Sequence, residues 1–185
     1  MKKCPITLVL VIALALAHLL IENTDPWALS RAAILQGNLW TLWSHLLVHS
    51  SLTHLLWDSV GLLVVGFFVE SMISTKLFVG LLATVATGSA LTFLAIEPLH
   101  AVVGVSGLQQ GLVGALGMLF IKNGPKNIGV TILLLMVLKI TFEFLGFSSY
   151  LGGDGGNIAV SSHLGGFLSG VAFVYFFKIN APTQL

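Results

Sequence analysis

The sequence predicts an all-α polytopic membrane protein, a bundle of six transmembrane helices with both termini on the cytoplasmic side. Three observations predict it. Of the 185 residues, 56% are hydrophobic and only 8% are charged, where a soluble domain carries about 25% charge. Six apolar stretches follow one another, each near the roughly 20 residues that a bilayer core requires. The basic residues gather at one side of these stretches. A formal net charge of +1 gives no sign of a nucleic-acid partner, and none is expected. One cysteine, Cys4, leaves no internal disulfide framework and no cysteine-based zinc site.

The first span, Pro5–Ile21, follows Lys2-Lys3 and contains Ala-Leu-Ala, a form shared with signal peptides. Five further spans favour a retained helix. They run over Leu52–Val69, Leu77–Ile96, Ala101–Ile121, Ile128–Phe147 and Ile158–Phe177. With the N-terminus inside, the inner ends hold Lys2, Lys3, Lys76, Lys122, Lys126 and Lys178, against Arg31 alone outside. Lys139 lies within the fifth span. This is the asymmetry of the positive-inside rule. Glu22, Asp25, Glu97 and Asp154 then fall outside, in agreement with it.

The longest connection runs from Glu22 to about Ser51 and carries Trp27, Trp40 and Trp43, which favour the membrane–water boundary. Within it, Leu39–Val48 reads as an interfacial, partly buried helix. Gly152-Gly153-Asp154-Gly155-Gly156, between the last two spans, reads as a mobile cap or a short turn. No internal boundary or repeat divides residues 1–185, which form a single membrane domain.

Polar residues inside apolar spans are costly and are functional candidates by default. The fourth span carries Gly104-Val105-Ser106-Gly107. Gly104 permits a tight turn, Gly107 a close neighbour, and neither shades the hydroxyl. Taken alone, this motif reads first as a packing surface of small residues. The second span opens with His49, His54 and Asp58, and the sixth carries His163. His54 and Asp58, four apart, share a helix face; His49 reaches the same region from the preceding loop. Ser106 and His163 each lie five residues into a span running inward, about 8 Å deep at 1.5 Å per residue. A serine, two histidines and a carboxyl group therefore meet at one level. Gly107, Gly111 and Gly114 on one helix and Gly166-xxx-Gly170 on another allow close approach. A protonated serine is a poor nucleophile without a base. His163 is placed to take its proton and return it to a leaving amine, with the Ser106 N–H and His54 as oxyanion donors.

His49-xxxx-His54-xxx-Asp58, Gly104-Val105-Ser106-Gly107 and His163-xx-Gly166-xxx-Gly170 together resemble the rhomboid intramembrane serine proteases in order and spacing. The resemblance covers about Trp40 to Gly170. It implies a six-helix core, a Ser106–His163 dyad with His54 as an oxyanion donor, and cleavage of membrane-anchored proteins in or beside a transmembrane segment. His49 would be a structural or loop contact near the site. Asp58 stands where the family usually has asparagine, and Trp40-Thr41 where it has a Trp-Arg pair. An ionised Asp58 cannot donate to an oxyanion; it is either protonated by burial or orients a histidine. The short chain, Arg31-Ala-Ala-Ile-Leu-Gln-Gly and Lys139-Ile-Thr-Phe-Glu143 resemble the rhombosortase branch. That branch implies a bacterial inner-membrane protein with its site towards the periplasm. Its implied substrates are exported proteins bearing a C-terminal Gly-Gly, helix and basic tail.

Lys139 and Glu143, at i and i+4, read as a buried ion pair, and His18, His45 and His100 as interfacial or structural. Gln109 and Gln110 read as polar helix contacts. Three other classes stand beside the protease. An inactive rhomboid-like protein would bind membrane clients without cutting, and Asp58 and Thr41 favour it. A metalloprotease would use His54, Asp58 and His163, but there is no HExxH motif, and neither metal nor cofactor is expected. A transporter would show internal symmetry, which the sequence lacks.

Overall fold

A computed structural model describes residues 4–98, 100–147, 158–177 and 179. Lys2, Lys3, Lys178 and the glycine-rich segment 152–156 lie outside the described residues. Eight α-helices and one 3-10 turn make up the described chain: α1 (Pro5–Leu20), the turn Asp25–Trp27, α2 (Arg31–Leu35), α3 (Thr41–Ser44), α4 (Leu52–Met72), α5 (Thr75–Ile96), α6 (Ser106–Asn123), α7 (Lys126–Phe144) and α8 (Val160–Phe176). No strand occurs among the described residues; an isolated antiparallel bridge joins Leu29 to Val102.

Helices α4, α5 and α7 are long and apolar enough to cross a membrane, and α1 and α8 are shorter apolar helices. The fourth expected span, α6, is less apolar because it is the helix that the others surround. It packs on α4, α5, α7 and α8, most extensively on α8. Glycine takes the place of large side chains there, since Gly107, Gly111, Gly114 and Gly117 are all buried. A Cβ on Gly166 would stand 2.0 Å from the Gly107 carbonyl oxygen, and one on Gly170 would stand 1.9 Å from that of Gly111. The two backbones therefore touch at successive turns, the close crossing expected of small residues four apart.

Charged side chains hold the helix ends. A helix leaves its first N–H and last C=O groups without partners, and in a membrane that omission is costly. Glu70, from the end of α4, accepts the N–H groups of Ile6 and Thr7 at 3.0 and 2.8 Å. Glu97 accepts the Ser161 N–H and hydroxyl at 3.0 and 2.6 Å at the start of α8. Arg31 donates to the Leu94 and Glu97 carbonyls at the end of α5, and Lys122 to those of Val174 and Tyr175 at the end of α8. Arg31 thus sits at the opposite end of α5 from Lys76.

Two elements differ from the sequence reading. Of the continuous helix expected over 39–48, only Thr41–Ser44 is α-helical. The His45 ring bonds the Thr41 carbonyl through Nδ1 at 2.8 Å, and Thr41 Oγ1 turns back to the Asn38 carbonyl. Local side-chain bonds of this kind compete with helix continuation. Second, the fourth span does not begin as helix at Ala101. Val102 exchanges both backbone hydrogen bonds with Leu29, at 2.9 and 3.0 Å, so the chain enters extended and turns helical at Ser106.

Candidate active site

That late start sets the geometry of the serine. Gly104 has φ of +103°, in the region that favours glycine, and its N–H donates to the His45 carbonyl at 2.9 Å. A side chain there would also meet the His54 ring at 2.8 Å. The chain swings through Gly104 and Val105 and opens α6 at Ser106. Ser106 occupies the first helical position, where backbone N–H groups lack intrahelical acceptors and the positive end of the helix dipole lies. Its depth therefore comes from an extended entry followed by a turn, not from five residues of helical rise.

Helix α8 delivers the base. His163 is the fourth residue of α8 and is buried. Its Nε2 lies 2.9 Å from Ser106 Oγ, and the glycine contacts between α6 and α8 set this separation. On the far side of the ring, His163 Nδ1 lies 2.8 Å from Glu143 Oε2. A carboxylate only accepts, so this contact puts the ring hydrogen on Nδ1 and leaves the Nε2 lone pair facing the serine hydroxyl. Lys139 holds the other oxygen, Glu143 Oε1. The sequence reading paired Lys139 with Glu143, which the structure contains, but missed the contact to His163. The available signal was topological. Helix α7 runs opposite to α6 and α8, so its C-terminal turn returns to the level at which they begin.

Helix α4 supplies the third wall. Asp58 is buried, and its Oδ2 accepts the Val105 N–H at 2.9 Å. The same oxygen lies 3.1 Å from His49 Nε2 and 3.3 Å from His54 Nε2. Gln109 donates to the Asp58 backbone carbonyl. Asp58 thus ties α4 to the residue before the serine and lies within hydrogen-bonding reach of two histidines. The His49 and His54 rings meet edge to face at 5.0 Å between centroids. His54 Nδ1 lies 3.1 Å from Ser50 Oγ, and His49 Nδ1 has no hydrogen-bond partner among the described residues. Gly107 fits between Ser89 and Ser162, whose hydroxyls share a 2.6 Å hydrogen bond.

The structure therefore brings Ser106, His163, His54, Asp58, His49, Gly104 and Gly107 to one end of the bundle. Chemically, the arrangement offers a hydroxyl hydrogen-bonded to an imidazole acceptor at the positive end of a helix. Such a group is suited to attack on a carbonyl.

Comparison with known proteins agrees with this architecture. The Rhomboid domain family model matches residues 36–179. The chain is 30% identical over 147 residues to Rhomboid protease GluP of Bacillus subtilis (strain 168), a match covering 77% of the chain and 27% of that protein. It is 30% identical over 145 residues to Rhomboid-related protein 2 of Mus musculus, covering 74% of the chain and 47% of that protein. The chain thus spans less than half the length of each of these curated relatives.

Proposed function

Because the chain belongs to the rhomboid family, we propose that it is an intramembrane serine endopeptidase that cleaves membrane-anchored proteins in or beside a transmembrane segment. The observation that carries this reading is the 2.9 Å contact between Ser106 Oγ and His163 Nε2, made where three helices begin. In the proposed reaction Ser106 Oγ attacks the scissile carbonyl as its proton passes to His163 Nε2. The tetrahedral oxyanion is stabilised by the Ser106 and Gly107 N–H groups, with the His54 ring beside Gly104 as a side-chain donor. His163 then gives its proton to the leaving amine. Water, activated by the same imidazole, hydrolyses the acyl-serine and restores the free hydroxyl.

The proposed setting is a six-span protein of the bacterial inner membrane, with both termini cytoplasmic and the site towards the periplasm. The proposed substrates are exported proteins carrying a Gly-Gly, helix and basic-tail C-terminus. Support for the branch comes from the resemblance of Arg31-Ala-Ala-Ile-Leu-Gln-Gly and Lys139-Ile-Thr-Phe-Glu143 to it. A second reading, a rhomboid-like client binder that does not cut, is favoured by Asp58 in place of the usual asparagine.

Reconstitution with a substrate bearing such a tail separates the two. The protease reading predicts cleavage by the wild type and none by Ser106→Ala or His163→Ala. Capture of intact substrate by all three proteins would favour the client binder. Equal cleavage by Ser106→Ala would sink the assignment of the nucleophile.

A further inference from the structure

The rhomboid pattern supplies two reacting side chains, yet the bundle holds a third in line with them. Glu143 Oε2 lies 2.8 Å from His163 Nδ1, opposite the 2.9 Å contact of His163 Nε2 with Ser106. Both Glu143 and His163 are buried. Glu143 arrives on α7, which contributes no residue to the three motifs, and Lys139 one turn earlier takes its second oxygen. We infer that Glu143 is a positioning residue that completes a Ser106–His163–Glu143 relay, with Lys139 fixing the orientation of its carboxylate. This inference rests on the protease reading of Ser106 and goes beyond the dyad.

Glu143 acts through the tautomer of the His163 ring. Neutral imidazole carries one ring hydrogen, and only the Nδ1–H form can accept the serine proton at Nε2. A carboxylate beside Nδ1 selects that form, stops the ring from turning, and faces the imidazolium that develops when Ser106 attacks. It need not take the proton itself. The other two buried carboxylates described near this end of the bundle are engaged elsewhere. Asp58 faces His49, His54 and the Val105 N–H, and Glu97 holds Ser161. Among the described residues, Glu143 is therefore the carboxylate that reaches the base.

Lys139 makes the inference testable by near-isosteric exchange. An ammonium only donates. In Glu143→Gln it retains the amide oxygen of Gln and turns the amide NH2 towards His163. Nδ1 must then accept, the ring hydrogen moves to Nε2, and the serine faces a donor in place of a base. Removing the ammonium as well, in Lys139→Met with Glu143→Gln, lets the amide reverse and offer its oxygen to Nδ1–H.

The experiment measures inactivation of purified protein by a fluorophosphonate, separating the maximal rate constant from the inhibitor's half-saturation concentration. Glu143→Gln is expected to lower the maximal rate about 100-fold or more with half-saturation within about twofold. Glu143→Asp, which keeps the carboxylate, and the double variant are expected to recover part of the rate. A Glu143→Gln rate within about threefold of wild type would overturn the relay. A double variant no faster than Glu143→Gln would overturn the role given to Lys139. Nitrogen-15 NMR of histidine-labelled wild type gives an answer free of folding defects. The His163 signal, assigned by its loss in His163→Ala, is expected in the Nδ1–H form, and the Nε2–H form would overturn the inference. Failure of the wild type to react at all, with Nδ1–H present, would instead remove the protease reading and the catalytic role together.

Discussion

At the scale of single residues, the organising fact is that nearly every buried polar side chain at the site has a stated partner, and the partner explains its identity. His45 shows how such a residue can be structural. It is almost fully buried, its Nδ1 donates to the Thr41 carbonyl, and its own carbonyl receives the Gly104 N–H. Burial lowers its pKa from 6.5 to about 4, because desolvation penalises the charged ring. The folded state therefore prefers neutral His45, while the unfolded chain binds a proton already near pH 6.5. Stability from this residue is present above pH 6.5 and falls as pH drops towards 4, by up to about 1.4 kcal/mol per pH unit. Thermal unfolding in detergent should show a steeper loss between pH 6.5 and 4.5 for wild type than for His45→Asn, which does not titrate there. Parallel curves would refute it. Of these residues, the motif positions Ser106, His163, His54 and Asp58 were legible in the sequence, since ionisable groups stand out against apolar surroundings. The contact between Glu143 and His163 was not, because a Lys–Glu pair four apart on one helix already accounts for both charges.

At the scale of elements, the close crossing of α6 and α8 sets the separation of the serine from its base. A Cβ on Gly166 would meet the Gly107 carbonyl oxygen at 2.0 Å and its carbon at 2.9 Å, both backbone atoms that cannot step aside. Gly166→Ala should therefore force the helices apart, costing about 1–3 kcal/mol by overpacking and abolishing reaction at Ser106. Gly80→Ala is the matched control. Its added methyl would lie 3.5 Å from the Phe173 ring, an ordinary contact, so its stability should stay within about 0.5 kcal/mol of wild type. Equal melting temperatures for the two variants would contradict the crossing. The glycine spacing disclosed this contact in the sequence, whereas the elements leading to it were less legible. Apolarity runs unbroken through 101–105, so hydropathy cannot register that Val102 pairs with Leu29 and delays the helix to Ser106. Similarly, the apolar run at 39–48 hides the side-chain bonds of Thr41 and His45 that confine α3 to four residues.

At the scale of the whole molecule, the apolar surface has a plain reading. Leu134, Leu135 and Leu138 on α7 and Leu19 and Leu20 on α1 are at least half exposed, a disposition suited to lipid rather than water. With a chain mean hydropathy of +1.00 and membership of the rhomboid family, this makes the chain a membrane protein. The proposed topology puts the loop before α2 on one side and the α6–α7 turn on the other. In a Cys4→Ser background, Asp25→Cys and Gly124→Cys should react with a membrane-impermeant maleimide from opposite faces of the membrane. Reaction of both from the same face would overturn the topology. Within that frame the whole bundle serves one end, where α4, α6 and α8 begin and α7 finishes. The claim on which the account turns is that this convergence activates Ser106. The most direct measurement is mass spectrometry of fluorophosphonate-treated protein in detergent, with Ser106→Ala and His163→Ala treated alongside. The account predicts a single phosphonylated residue, Ser106, and no adduct in either variant. An adduct on another residue, or an unmodified Ser106 in protein shown to be folded, would contradict it.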